Sequence, residues 1–177
     1  MTLTAGEKLI PFRLKNVDGK VVSSDELMKG AKALAVIFSC NHCPYVLAWE
    51  DRMIALGGSY GPRGASFVLI NANDPKKYAE DSYEGMVRRA RLKKYPFPYL
   101  HDEDQSVARA YGATRTPEVF LFDAQGALRY HGRVDDNYEN PEAVQSHDLR
   151  NALEAVLSGK SPAIVETAPV GCTIKWK

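Results

Sequence analysis

The chain has 177 residues, of which 45% are hydrophobic and 25% charged, the proportions of a globular protein long enough to enclose a core. Lys and Arg number 23 and Asp and Glu 22, so no net field would attract nucleic acid or an anionic membrane. No basic segment followed by an apolar one opens the sequence, and the longest apolar run, residues 33–38, is too short to span a bilayer. We therefore expect a cytoplasmic protein whose partner is neither nucleic acid nor a membrane.

Apolar periodicity, capping signals and turn residues predict an alternation of strands and helices along the chain. In order, these are a hairpin of residues 12–14 and 20–22, a helix over 24–29, a buried strand over 33–38, a helix from 41 to about 59, a strand over 66–70, a polar helix from 75 to about 94, a short helix capped by Asp104, a hairpin of residues 118–122 and 127–131, and a last helix over about 147–157. Residues 161–177 show little periodicity, so we expect an extended tail packed on a domain of residues 1–160.

Three local signals support this order. Asp18-Gly19 is a typical hairpin turn, and Ser23 with Glu26 has the spacing of a capping box at the start of a helix. The continuous apolar run of residues 33–38 is typical of a strand buried on both faces. Strands separated by helices pair in parallel, whereas the late hairpin adds an antiparallel edge. The sequence therefore predicts an α/β fold in which a central mixed sheet is flanked by helices, with an N-terminal β-hairpin extension.

Cys40 and Cys43 form a Cys-x-x-Cys motif where the predicted buried strand meets the next helix. In a reducing compartment such a pair is more often catalytic or metal-binding than structural. At the start of a helix, free backbone N–H groups and the positive end of the helix dipole would stabilise the Cys40 thiolate and lower its pKa. Cys43, one turn later, would lie close enough to resolve a mixed disulfide formed by Cys40.

The other candidate residues each have two interpretations. His42 could stabilise the thiolate of Cys40 or have no part in the chemistry. Cys172 could act as an additional resolving cysteine, or fill space in the tail as a small apolar side chain. The Cys-x-x-Cys could also be half of a metal site with His42, Cys172 or His131 as further ligands. Because no second ligand pair appears at metal spacing, we expect no metal.

Thr116-Pro117 stands immediately before a predicted strand. Together with the earlier Cys-x-x-Cys it resembles the thioredoxin superfamily, and Asp18-Gly19-Lys20 with Ser23-x-x-Glu26 resembles the redoxin branch, which includes alkyl hydroperoxide reductase/thiol-specific antioxidant proteins and thiol-disulfide reductases. An uncharacterised bacterial group within this branch is similar in the segments 40–44, 71–74 and 171–176. The resemblance implies a thioredoxin-like fold in which Pro117 is cis and lies against the active-site sulfurs. It also implies that Thr116 offers backbone hydrogen bonds to a bound polypeptide.

The sequence departs from two patterns of this superfamily. Thioredoxins carry a buried acid in the strand before the motif that helps to move the proton of the resolving cysteine, and residues 33–38 contain none. The Pro-x-x-x-Thr/Ser-x-x-Cys pattern of peroxiredoxins fits neither Cys40 nor Cys43. Glu50 and Glu118 could replace the missing proton acceptor, although we expect both on a solvated surface.

The hypothesis that follows is a thiol-disulfide oxidoreductase that works through Cys40 and Cys43. It would need no cofactor other than this redox-active disulfide, and its partners would be disulfides or thiols of proteins or small molecules. A thiol-dependent peroxide reductase, in which one of these cysteines forms a sulfenic acid, is the first alternative. A copper- or zinc-binding protein is the second.

Overall fold

The computed structural model describes all residues from 1 to 177. Its elements alternate in the predicted manner. They are β1 (Arg13–Asn16), β2 (Val21–Ser23), α1 (Ser24–Met28), β3 (Ala33–Phe38), α2 (Pro44–Tyr60), β4 (Ala65–Asn71), α3 (Tyr83–Lys93), β5 (Tyr99–His101), α4 (Ser106–Tyr111), β6 (Arg115–Thr116), β7 (Glu118–Asp123), β8 (Leu128–Gly132), α5 (Asp148–Leu157) and β9 (Cys172–Thr173). Two 3-10 helices, Ala79–Asp81 and Pro141–Ala143, precede α3 and α5.

Seven strands form one mixed sheet in the order β2-β1-β5-β4-β3-β7-β8. The central neighbours β3, β4 and β5 run parallel, and the other pairs are antiparallel. The mixed sheet flanked by helices, with the hairpin of β1 and β2 at one edge, confirms the predicted fold class. The Cys-x-x-Cys motif follows the end of β3, an interior strand that pairs with β4 and β7.

Side chains of β3 alternate between two apolar layers, as the pleat of a strand requires. Ala33, Ala35 and Ile37 join the layer formed with α2, α3 and α5, in which Trp49 and Leu149 are buried. The intervening residues of β3 join the other layer, formed with α1, α4 and the N-terminal segment. Because both layers are buried and apolar, every residue of the strand is apolar, and the sequence shows a continuous apolar run.

Two predicted helix boundaries were wrong, and one strand was not predicted. The helix after the motif begins at Pro44 rather than at residue 41, because Cys43 is its N-cap and proline at N1 loses no helical hydrogen bond. The polar segment 75–94 is not one helix: a turn and a 3-10 helix come first, and α3 starts after Ser82, whose hydroxyl accepts the N–H of Gly85. The sequence pattern also missed β5, a strand of three residues that follows a proline.

The tail of residues 161–177 first contacts the edge strand β8 and then lies beside the Cys-x-x-Cys motif. Glu166 forms an isolated bridge with His131, Cys172 pairs with Thr116 between β6 and β9, and Ile174 is buried. The division between domain and tail at residue 160 stays a prediction. None of the helices combines the length and the apolar character needed to cross a lipid bilayer.

Candidate active site

The two cysteines of the motif meet at the N-terminal end of α2. Both are free thiols, and the backbone N–H of Cys43 donates to the sulfur of Cys40 at 3.4 Å. One amide of the helix start therefore points at Cys40, as expected, although Cys40 itself lies three residues before the N-cap rather than in the first turn.

Thr116 contacts both sulfurs from the opposite side. Its hydroxyl lies 3.5 Å from the sulfur of Cys40, and the thiol of Cys43 donates to its carbonyl oxygen at 3.3 Å. The peptide bond to Pro117 is cis. The structure thus brings Thr116, and with it the cis peptide bond to Pro117, to Cys40 and Cys43. These cysteines lie more than seventy residues earlier in the chain.

The motif is almost closed to solvent. Cys40 is 1% exposed and Cys43 0%, and Cys40 does not have the lowered pKa expected from the sequence. The hydrogen bond with Cys43, burial and the charge of Asp81 raise the pKa of Cys40 well above the ordinary thiol value, and the Thr116 hydroxyl only partly opposes them. The same hydrogen bond lowers the pKa of Cys43 below the ordinary thiol value. The proton shared by the pair is therefore held on Cys40, and Cys43 is the more nucleophilic sulfur, the reverse of the roles that the sequence predicts.

Asp81 is the acidic residue that sequence reasoning missed. It is fully buried, hydrogen-bonds with Nδ1 of His42 and accepts the backbone N–H of Asn41 at 2.6 Å. Asn73 donates to its second oxygen at 3.0 Å. No local signal marks this aspartate, because it comes from a 3-10 helix 41 residues after Cys40 in the chain.

His42 is held in place by two contacts. Its Nδ1 pairs with Asp81, and its ring stacks on Tyr78 with 3.7 Å between centroids and 4° between planes. One ligand-type atom from each of Cys40, His42 and Asp81 lies within 4.8 Å of the others. The imidazole therefore lies close to both a buried thiol and a buried carboxylate.

Glu50 and Glu118, expected on a solvated surface, are both buried. Glu50 pairs with Arg89 of α3, whereas Glu118 accepts two backbone N–H groups before β7 and pairs with His131 at 2.7 Å. These partners offset the cost of burying each charge. Glu118 therefore holds the loop that carries Thr116, and neither glutamate forms a hydrogen bond with a cysteine.

Cys40, His42 and Asp81 are also the residues whose arrangement comes nearest to a metal-binding site, and His131 is not among them. A soft metal would find a thiol and an imidazole there. However, the carboxylate of Asp81 is already engaged by His42 and by three neighbouring N–H donors. The residues present thus fit a hydrogen-bonded acid–base pair better than a metal.

Paired cysteines at the end of a central strand, facing a cis-proline loop within a helix-flanked mixed sheet, define a thioredoxin-fold protein. The sequence model of the Redoxin family matches residues 4–153, so the chain belongs to the Redoxin family. No curated protein sequence matches the chain.

Solved structures agree with this assignment. An uncharacterised conserved protein from Geobacillus kaustophilus is 42% identical with a TM-score of 0.92, covering 98% of this chain and 92% of that one. A hypothetical protein from Sinorhizobium meliloti 1021 is 37% identical with a TM-score of 0.93, covering 100% and 97%. A putative thiol:disulfide interchange protein DsbE from Chlorobium tepidum shares the fold at 19% identity, with a TM-score of 0.68 over 88% and 99%. Family membership supports a redox role of the thiol-disulfide oxidoreductase or peroxiredoxin kind.

Proposed function

We propose that this protein is a thiol-disulfide oxidoreductase that interconverts the dithiol and the disulfide of Cys40 and Cys43. The observation that carries the proposal is the convergence of both sulfurs on Thr116, whose hydroxyl and carbonyl contact one sulfur each at 3.5 and 3.3 Å. Two thiols in contact can close a disulfide with little rearrangement. The hydroxyl of Thr116 and the backbone N–H of Cys43 partly offset the burial and the Asp81 charge that oppose release of Cys40 as a thiolate when that disulfide is reduced.

In this proposal Cys43 is the attacking sulfur and Cys40 the resolving one, and His42 and Asp81 move the proton of Cys40. The charge of Asp81 holds the proton on the sulfur at rest, and His42 is the base within reach when the sulfur must become a thiolate. The pair thereby does the work that thioredoxins assign to an acid in the strand before the motif. His42 would then be more than a bystander beside the cysteines.

The proposal extends to the partners and the compartment. The protein would exchange with disulfides or thiols of proteins or small molecules, with no cofactor besides its own disulfide. A reducing compartment such as the cytoplasm would return the pair to its dithiol form.

The test is the reduction of insulin disulfides with dithiothreitol as electron donor. We expect the parent protein to accelerate the reduction of insulin. Cys43→Ser should show only the uncatalysed rate, and Cys40→Ser should show a lower rate than the parent. Ser59→Ala, an exposed change near the far end of α2, is the matched control and should behave like the parent. Undiminished reduction by Cys40→Ser would overturn the proposal.

A peroxide reductase is the second candidate, favoured by one hydroxyl in contact with Cys40 and by an unpartnered hydroxyl on the residue before it. The hydroxyl of Thr116 contacts the sulfur, and that of Ser39, the preceding residue, is buried without a hydrogen-bond partner. Such donors could hold the oxygens of a peroxide during attack by a thiolate. A stopped-flow reaction with hydrogen peroxide that is only as fast as that of an ordinary thiol would dismiss this candidate.

A further inference from the structure

The tail covers the reactive pair and brings a third sulfur to it. Cys172 on β9 is the register partner of Thr116 on β6, the residue that contacts both sulfurs of the motif. Thr116 is therefore a common neighbour of all three cysteines of the chain. Cys172 also packs against the apolar layer that contains Cys40 and Cys43.

The three sulfurs differ in their access to solvent. Cys40 and Cys43 are 1% and 0% exposed, whereas Cys172 is half-buried. A substrate disulfide needs a nearly linear approach to the sulfur that it engages, so it cannot reach the motif while the tail is in place. Of the three, only Cys172 is open to a partner.

The tail is fixed on both sides of Cys172. A Cβ on Gly171 would lie 2.0 Å from the carbonyl oxygen of Thr116, so only glycine allows this close approach. After Cys172, Ile174 donates its backbone N–H to the oxygen of Thr114 at 3.0 Å, and Lys175 donates to the side chain of Asn73 at 2.8 Å. The segment is thus held by backbone contacts that keep its cysteine beside the motif.

We propose that Cys172 is a third redox sulfur that relays exchange between the buried pair and external thiols or disulfides. This inference rests on the proposed function of Cys40 and Cys43. In the oxidised protein the thiolate of Cys172 attacks the sulfur of Cys43. The Cys43–Cys172 bond forms, the Cys40–Cys43 bond breaks, and Cys40 takes up a proton equal to the one that Cys172 has lost.

An external thiolate then attacks Cys172. This step releases Cys43 as a thiolate and leaves a mixed disulfide between Cys172 and the external thiol. A second external thiolate then attacks this mixed disulfide, which frees Cys172 and forms the external disulfide. Two electrons pass from two external thiols to the protein, and the reverse sequence reduces a substrate disulfide. The external partner is any accessible thiol or disulfide, of which the glutathione pair is the simplest probe.

The charge around Cys172 agrees with this role. Burial and the neighbouring Cys43 raise the pKa of Cys172 to about 11, while Lys175 and Arg115 lower it. In the oxidised protein Cys43 is no longer a thiol, so its contribution to the pKa of Cys172 disappears, whereas burial, the largest cause, and the two cations remain. Cys172 thus becomes a better nucleophile in the state in which it must attack.

Disulfide mapping tests the relay. Trypsin leaves Cys40 and Cys43 together in peptide 33–52 and Cys172 in peptide 161–175, so a Cys43–Cys172 bond joins two peptides and a Cys40–Cys43 bond does not. We expect Cys40→Ser, oxidised by diamide, to give the joined peptides. The matched variant Cys43→Ser, which keeps Cys40 and Cys172, should not give them. Oxidised Cys40→Ser without this crosslink would overturn the relay.

Kinetics give a second test that does not depend on Cys40→Ser folding. Reduction of the oxidised protein by glutathione should slow about tenfold or more in Cys172→Ser, because the thiol must then reach a buried disulfide. Thr173→Ala, an exposed change on the same strand, should leave this rate unchanged. An equal or faster rate in Cys172→Ser would overturn the relay. If the parent protein forms no Cys40–Cys43 bond, the proposed function fails instead, so the two failures are distinguishable.

Discussion

Replacing Asp81 by asparagine should lower the pKa of Cys40. Asp81 is fully buried, and its carboxylate lies within 4.8 Å of the sulfur of Cys40. Its negative charge opposes a second negative charge on the sulfur and helps to raise the pKa of Cys40. Asparagine has nearly the same shape and can still accept the N–H of Asn41, but it carries no charge.

The size of the effect follows from this separation. At an effective dielectric constant of about 20, a unit charge at 4.8 Å, the upper limit of this separation, contributes about 3.5 kcal/mol, which corresponds to roughly 2.5 in pKa. The paired ring of His42 offsets part of this charge. We therefore expect the pKa of Cys40 to fall by about 1 in Asp81→Asn.

The assay needs Cys40 as the sole thiol. The double variant Cys43→Ser/Cys172→Ser provides it, since the chain has three cysteines, and ultraviolet absorbance of the thiolate reports its titration. Asp81→Asn in this background should lower the midpoint. Asp102→Asn, a change at another buried aspartate that caps α4, should not. A midpoint that stays the same or rises with Asp81→Asn would refute the reasoning.

Three further predictions concern the surroundings of the site. Gly171→Ala places a Cβ against the Thr116 carbonyl and should loosen the tail, lowering Tm and speeding alkylation of the cysteines; unchanged values would contradict the close approach. Burial lowers the pKa of His131, but the hydrogen bond and charge of Glu118 raise it overall. The pairing therefore contributes its full stabilisation below pH 6.5 and loses it as the pH rises through the folded-state pKa of His131. Urea unfolding at several pH values should show this decline in the parent, and His131→Gln should abolish it. Glu50→Gln removes the charge that balances a partly buried arginine and should cost about 3 kcal/mol in urea unfolding, and a negligible loss would argue against the pair.

The order of strands and helices was predictable because burial leaves a direct pattern in the sequence. The apolar run of β3 reflects the two buried apolar layers on either side of the sheet. The capping box of Ser23 and Glu26 is present at the start of α1, where the Ser23 hydroxyl accepts the Glu26 N–H. Strands of two or three residues, such as β5, β6 and β9, carry too few positions to show a period. Their pairing depends on partners elsewhere in the chain.

The candidate site was predictable only in part, for the same reason. Cys40, Cys43 and Thr116 stood out through motifs, and the structure brings them together. Asp81 carries no motif, and its burial depends on donors from two other segments. Burial of Glu118 likewise depends on a histidine from the next strand, so charge alone predicted a solvated surface.

The central claim is that Cys40 and Cys43 form a reversible disulfide, and its most direct test is a redox titration of the parent protein. The chain is equilibrated in glutathione buffers of graded ratio, the remaining thiols are alkylated, and peptide 33–52 is weighed. We predict that this peptide loses two hydrogens in oxidising buffers and regains them in reducing ones, with one midpoint from both directions. A peptide that keeps both thiols, or forms only glutathione adducts, at every ratio would contradict the claim.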